Sequence, residues 1–148
     1  MLRVRRATEE DLVDLFKLSV LMQRETDFSA FSFNPEKTIN SISEWLQGNA
    51  VFVADDGDEI VGMLAASKRT HAFSDDEVAC EDVFFVRQDK RGTRAGYLLM
   101  KSFIEWAGSC GARHVRAGVS TGTGSAAERL YQHFGMKHMG GNFSLHLG

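Results

Sequence analysis

Cysteine is scarce in this chain of 148 residues: Cys80 and Cys110 stand far apart, with no CxxC spacing. That usage points to reduced thiols and a cytoplasmic setting, a Cys80–Cys110 bridge being the alternative. Long apolar runs are missing as well. None approaches the ~20 residues that cross a bilayer, so no membrane span is expected. No charged-then-apolar leader opens the chain, so no secretion signal is expected either. Nor is there an excess of positive charge. Lys and Arg total 17 against 20 Asp and Glu, a formal net charge of -3, whereas a general nucleic-acid binder would show a broad basic face. Repeats, low-complexity tracts and linker-like shifts in composition are absent too. Residues 1–148 therefore read as one domain, and 43% hydrophobic content is enough for a proper core.

Against this mildly acidic background, positive charge gathers in one place. Val83 to Val86 is an apolar run with the look of a buried strand. It is followed by Arg87-Gln88-Asp89-Lys90-Arg91-Gly92-Thr93-Arg94, and a helical pattern runs from Ala95 to about Cys110. A strand feeding a cationic, glycine-bearing turn that opens a helix is suited to phosphate. The first N–H groups of a helix have no internal partner, and the helix dipole puts partial positive charge beside them.

The other elements fall into place around that stretch. Leu2 to Arg5 alternates like a short strand. Thr8 starts a helix, with Asp11 as the reciprocal member of a capping box, and Leu12, Leu15, Phe16 and Leu18 to Met22 form its apolar side. Thr26 to Phe33 shows no period and reads as a loop. Asn34 is an N-cap, and the proline after it takes the first helical position. Ile39, Ile42, Trp45 and Leu46 then recur at helical spacing as far as Gly48. Ala50 to Ala54 is a strand, Asp56-Gly57 a hairpin turn, and Ile60 to Ser67 the partner strand. A polar loop, His71 to Glu77, leads into the strand Val78 to Val86. Past the third helix, His114 to Val119 is a strand and Thr121 to Ser125 a connection. Ala126 to Phe134 is a helix closed by Gly135. Met136 to Met139 and Phe143 to Leu147 form a last hairpin across Gly140-Gly141. The order β-α-α-β-β-β-α-β-α-β-β predicts an α/β domain on a mixed sheet.

With Arg91-Gly92 opening the third helix and Ala127-x-x-Leu130-Tyr131-x-x-x-Gly135-Met136 near the C-terminus, nearly the whole chain resembles the GNAT-type N-acetyltransferase superfamily. The resemblance implies a single-domain acyl-CoA N-acyltransferase fold, a mixed, mostly antiparallel sheet with helices on both faces. In that family the turn follows Gln/Arg-x-x-Gly-x-Gly/Ala, and its amides hold the pyrophosphate of acetyl-CoA. Here Arg91 fills the first place and Gly96 the last, while Arg94 replaces the middle glycine. A glycine there lets the backbone approach the phosphates. An arginine adds a charge-assisted contact, at a cost of ~1 kcal/mol or more if the position needs a positive φ. Phe85, Val86, Arg91, Gly92, Thr93, Arg94, Ala95, Gly96 and Tyr97 are thereby implied as cofactor-binding residues. A backbone N–H near Phe85 or Val86, freed where the central strand splays from its neighbour, would stabilise the oxyanion. An asparagine common in the family seven residues before the tyrosine is replaced by Gly124, with the Ser125 hydroxyl beside it as a substitute.

Acetyl transfer from a thioester to an amine needs a deprotonated amine, since an ammonium with a pKa of ~10.4 cannot attack. It also needs donors at the carbonyl oxygen and a proton for the departing thiolate. By resemblance, Tyr131 gives that proton. For the base, family members often carry a carboxylate four residues before the valine ending the central strand. That place is Asp82, with Glu81 beside it. Alternation sends the two to opposite faces unless a bulge intervenes. Asp82 is favoured on position, with Glu81 the longer-armed alternative. The implied function is acetyl-CoA-dependent N-acetylation of an unidentified amine by direct attack in a ternary complex, in a protein for which a homodimer is allowed. Because Arg94 and Gly124 depart from the pattern, the alternative is a catalytically degenerate module of the same fold, used for binding or assembly. Gly122 to Ala127 matches a dinucleotide fingerprint, but too little chain follows to complete the unit. His133 and His138 have no Cys or carboxylate at matching spacing, so no metal is implied. Asp75-Asp76-Glu77 reads as a solvated loop, and Phe28, Phe31 and Phe33 either line an acceptor pocket or pack a loop onto the core.

Overall fold

The computed structural model describes residues 1–118 and 126–148. Five strands, β1 (Arg3–Arg6), β2 (Ala50–Asp55), β3 (Ile60–Thr70), β4 (Glu77–Val86) and β5 (His114–Arg116), lie side by side in chain order. All neighbours are antiparallel except β4 and β5, which run parallel. On β2, Ala50, Phe52 and Ala54 face one side and Val51 and Val53 the other, and both sets are buried. A strand covered on both faces needs apolar residues at every position, which is why this one reads as an unbroken run. α1 (Leu12–Glu25) and α2 (Pro35–Gly48) close one face through Leu15, Leu18, Met22 and Ile42. α3 (Ala95–Ser109) and α4 (Ala126–His133) close the other through Leu99, Met100, Phe103 and Tyr131. The result is one α/β domain on a mixed sheet.

The start signals act where the sequence places them, with local differences. Thr8 N–H donates to Asp11 Oδ2 at 2.8 Å, but Glu9–Asp11 is a 3-10 turn and the α-helix proper begins at Leu12. Asp11 also takes a forked pair of bonds from Arg5, at 2.8 and 2.9 Å, which ties β1 to the base of α1. Asn34 caps α2 by accepting from Lys37 N–H at 3.0 Å. The expected loop Thr26 to Phe33 contains a 3-10 turn, Asp27–Ala30.

The C-terminal hairpin expected over Met136 to Leu147 is not formed. Residues 136–148 carry no strand, and Met139, Phe143, Leu145 and Leu147 are exposed. An isolated hairpin is marginal in water and needs a neighbouring strand to extend. β5, at three residues, offers little ladder. The strand expected to run from His114 to Val119 stops at Arg116 among the described residues, and the Gly118 carbonyl beyond it is engaged by Tyr131 Oη instead. Val119 and the Thr121 to Ser125 connection, with Gly122, Gly124 and the dinucleotide-like pattern, lie outside the described residues.

Two irregularities position the site. In the β3–β4 ladder Ala65 stands opposite Val83 and Ala66 opposite Glu81, so Asp82 is an extra residue and forms a bulge. In the β4–β5 pair, only Val78, Ala79 and Cys80 have partners. From Glu81 onward β4 has lost its parallel neighbour among the described residues.

Candidate active site

A cleft of about 700 Å³ opens where β4 and β5 part. One end is built by the turn leaving β4. A 3-10 turn, Gln88–Lys90, brings the chain round, and Gly92 takes φ +89, a left-handed conformation in which a side chain would be strained. α3 then starts at Ala95, with Gly96 and Tyr97 in its first turn lining the cleft beside Lys90, Arg91, Gly92 and Thr93. The unpaired N–H groups of that first turn and the helix dipole make this end attractive to an anion.

The cations of the turn divide by role. Arg87 turns away and pairs with Glu59 and Asp89, at 2.8 and 2.7 Å. Arg91 is held by its own surroundings. Its Nε donates to Val86 O at 3.0 Å, its guanidinium lies 5.5 Å from the Phe85 ring centroid, and Glu25 is 3.7 Å away. Lys90 has only a long contact with Asp56, at 3.9 Å. Arg94 has φ -81, so the residue replacing the family's middle glycine sits in an unstrained conformation. Its guanidinium lies over the Tyr97 ring, 5.3 Å from the centroid. The exposed Arg94 and the fully buried Ala95 are not among the residues that line the cleft.

Along the cleft, β4 exposes main chain. Arg87 N–H donates to Val61 O at 2.9 Å, which fixes the parity of the β3–β4 ladder. Phe85, two residues back, therefore turns its N–H and C=O toward β3. Phe84 and Val86 turn theirs toward the side that β5 has left. Of the two expected oxyanion positions, Val86 faces the open side.

The titratable groups meet at the bulge. Without the extra residue, Glu81 and Asp82 would point to opposite faces; with it, both line the cleft. Asp82 Oδ1 is bound by Arg69 at 3.1 Å. Glu81 turns toward α4, where Tyr131 Oη lies 3.3 Å from its Oε1. Burial pushes the Glu81 carboxyl up to about 8, against hydrogen bonds from Tyr131 and the Gly118 amide, with the nearby charge of Asp82 adding to the rise. Tyr131 is itself buried and donates to Gly118 O at 2.6 Å. Burial first, and then the Glu81 charge, hold its phenol above the usual tyrosine range.

Met22, Phe28 and Asn142 also line the cleft. The three phenylalanines weighed in the sequence separate: Phe28 faces the cleft, Phe33 stacks on Phe16 at 6.2 Å, and Phe31 is exposed. Met22, Asn142 and the Gly118 carbonyl carry no motif, and nothing in the sequence singles them out. The long-range contact between Tyr131 and Gly118 exists only once α4 is docked.

Among curated proteins no sequence matches this chain. Its fold is shared with solved structures of low identity. AAC(6')-Iy in complex with the bisubstrate analog CoA-S-monomethyl-acetylneamine is 16% identical, with a TM-score of 0.80 over 99% of this chain and 97% of that one. A transcriptional regulator from Bacillus halodurans C-125 is 22% identical, with a TM-score of 0.82 over 99% and 100%. The aminoglycoside acetyltransferase meta-AAC0020 from an uncultured soil metagenomic sample, in complex with trehalose, is 19% identical, with a TM-score of 0.77 over 99% and 97%. At such identities the likeness is one of fold. Family is decided by sequence. The model of the Acetyltransferase (GNAT) family matches residues 18–136, from within α1 to just past α4, and the chain belongs to that family, with acetyl-CoA as its cosubstrate.

Proposed function

We propose that this protein transfers the acetyl group of acetyl-CoA to an amine by direct attack in a ternary complex. The observation that carries the reading is the meeting of Tyr131 Oη and the Glu81 carboxyl, 3.3 Å apart, where β4 bares its main chain. The first turn of α3, with Lys90 and Arg91, seats the diphosphate. The pantetheine arm lies along the open side of β4 in the manner of an added strand. The Phe84 or Val86 N–H meets the carbonyl oxygen as charge builds on it. No cysteine is among the described residues lining the cleft, and the Thr93 hydroxyl donates to Lys90 O at 2.6 Å. With no evident side chain among the described lining residues to carry the acetyl group, direct attack is favoured over a covalent intermediate.

Asp82 is occupied by Arg69, so we assign the base to Glu81. A carboxyl titrating at about 8 takes up a proton readily near neutrality. Tyr131 stays protonated but is by itself a reluctant donor to a thiolate, whose thiol titrates near ~8.5. Contact with Glu81 removes the difficulty. As the N–C bond forms and the C–S bond breaks, the amine proton passes to the Glu81 carboxylate. Tyr131 gives its proton to the sulfur, and the newly formed Glu81 acid returns one to the phenolate. An amide and a free thiol leave, and both side chains are restored.

The catalytically degenerate alternative drew on Arg94 and Gly124. The unstrained φ of Arg94, with its guanidinium over the Tyr97 ring, weakens the first motive, and Gly124 lies outside the described residues. Calorimetric titration separates the two readings: no binding of CoA or acetyl-CoA at roughly hundreds of micromolar would reject the enzyme. Given binding, Tyr131→Phe should lower kcat by about 10²–10⁴-fold while leaving cofactor affinity nearly intact; an unchanged kcat rejects Tyr131 as donor.

A further inference from the structure

The apolar part of the cleft lining, contributed by Met22 and Phe28, narrows the acceptor. Phe28 is presented there on a turn fixed from several sides. Its N–H donates to Thr26 Oγ1 at 3.2 Å, and the buried Thr26 hydroxyl donates to Met22 O at 2.7 Å. Gln23 Nε2 donates to the Phe28 carbonyl at 2.6 Å and to that of Phe31 at 2.7 Å. Phe28 nevertheless remains 36% exposed and, with the largely buried Met22, gives the cleft an apolar lining. An apolar wall held open by a hydrogen-bonded backbone is ready to take up an apolar body at little ordering cost.

Negative charge is sparing by comparison. Among the described residues lining the cleft, Glu81 and Asp82 are the carboxylates, and Asp82 is already paired with Arg69. Residues 119–125 and 136–148 contain no Asp or Glu. A polycation would find one carboxylate at its reacting amine and little to replace the water lost from its other charges.

Resting on the N-acetyltransferase reading, we propose that the acceptor is a monoamine carried on an apolar or aromatic body, an arylalkylamine in class. Met22 and Phe28 hold the body and Glu81 meets the amine. An aminoglycoside, with several ammonium groups on a hydroxylated frame, matches neither feature.

The test measures thiol release from acetyl-CoA with phenethylamine, spermidine, kanamycin and a lysine-containing peptide as acceptors, beside a calorimetric titration with acetyl-CoA. Phenethylamine should give the highest kcat/KM, by about tenfold or more. Phe28→Ala should raise its KM about tenfold with kcat and acetyl-CoA affinity little changed. Arg69→Gln, which releases Asp82, should narrow the preference against spermidine. Higher kcat/KM with spermidine, kanamycin or the peptide overturns the inference. So does a protein that binds acetyl-CoA yet turns over none of the four, or an unchanged KM in Phe28→Ala. In each of these cases the acetyl-CoA reading stands; absence of acetyl-CoA binding overturns that reading and the inference with it.

Discussion

At the scale of single residues, Glu81 departs far from its chemistry in water. A carboxyl raised from 4.5 to about 8 holds its proton more tightly folded than unfolded. Its contribution to stability is therefore most favourable below the ordinary value and is lost as pH climbs through 8. Glu81→Gln removes that loss. The variant should match the parent in stability near pH 4.5 and exceed it at pH 8 by roughly 2–4 kcal/mol, read as a higher Tm; equal Tm values at pH 8 would show that the carboxyl is not desolvated. In activity the sign reverses. The base works ionised, so kcat/KM should rise with pH around a midpoint near 8, and Glu81→Gln should flatten that limb and lower kcat/KM by about 10²–10⁴-fold. Both carboxylates are plain in the sequence, but which one is available is not. The bulge at Asp82 and the distant partner Arg69 decide that, and neither leaves a mark on the local pattern.

At the scale of elements, the close approach of β3, β4 and α3 shapes the cleft. A Cβ on Gly62 would lie 3.1 Å from Leu99 Cδ1, 3.2 Å from the Phe85 carbonyl oxygen and 3.2 Å from Val86 Cγ2. The carbonyl belongs to a central strand and cannot step aside. Gly62→Ala should therefore cost roughly 1–3 kcal/mol, read as a lower Tm, and should weaken acetyl-CoA binding because the atoms displaced are those of Phe85 and Val86. A Tm within error of the parent would mean the strand yields. Gly92→Ala tests the turn by a different route: at φ +89 the cost is roughly 1 kcal/mol of backbone strain with open space around it. The helix starts at Asn34 and Ala95 and the turn at Gly57 are readable because caps, prolines and glycines act on their own backbone. The hairpin expected over Met136 to Leu147 does not form, for the converse reason. Alternation and a Gly-Gly turn specify a strand only where another strand is in reach.

At the scale of the whole molecule, a net charge of -3 coexists with a cationic end to the cleft. Binding of an anionic nucleotide there should weaken several-fold between about 50 and 500 mM salt, as exposed charges are screened; an affinity indifferent to salt would place the diphosphate elsewhere. The sequence by itself determined the α/β class, the order of elements up to α4, the cationic glycine-bearing turn and the tyrosine of the last helix. Each of these rests on periodicity, capping or a contiguous motif, which are local properties. Tertiary structure alone decided which carboxylate meets Tyr131, which strand amides are bare and which phenylalanine lines the cleft. Those depend on register, on where one strand leaves another, and on contacts between residues up to fifty positions apart, such as Glu81 and Tyr131, which only the assembled sheet brings within reach.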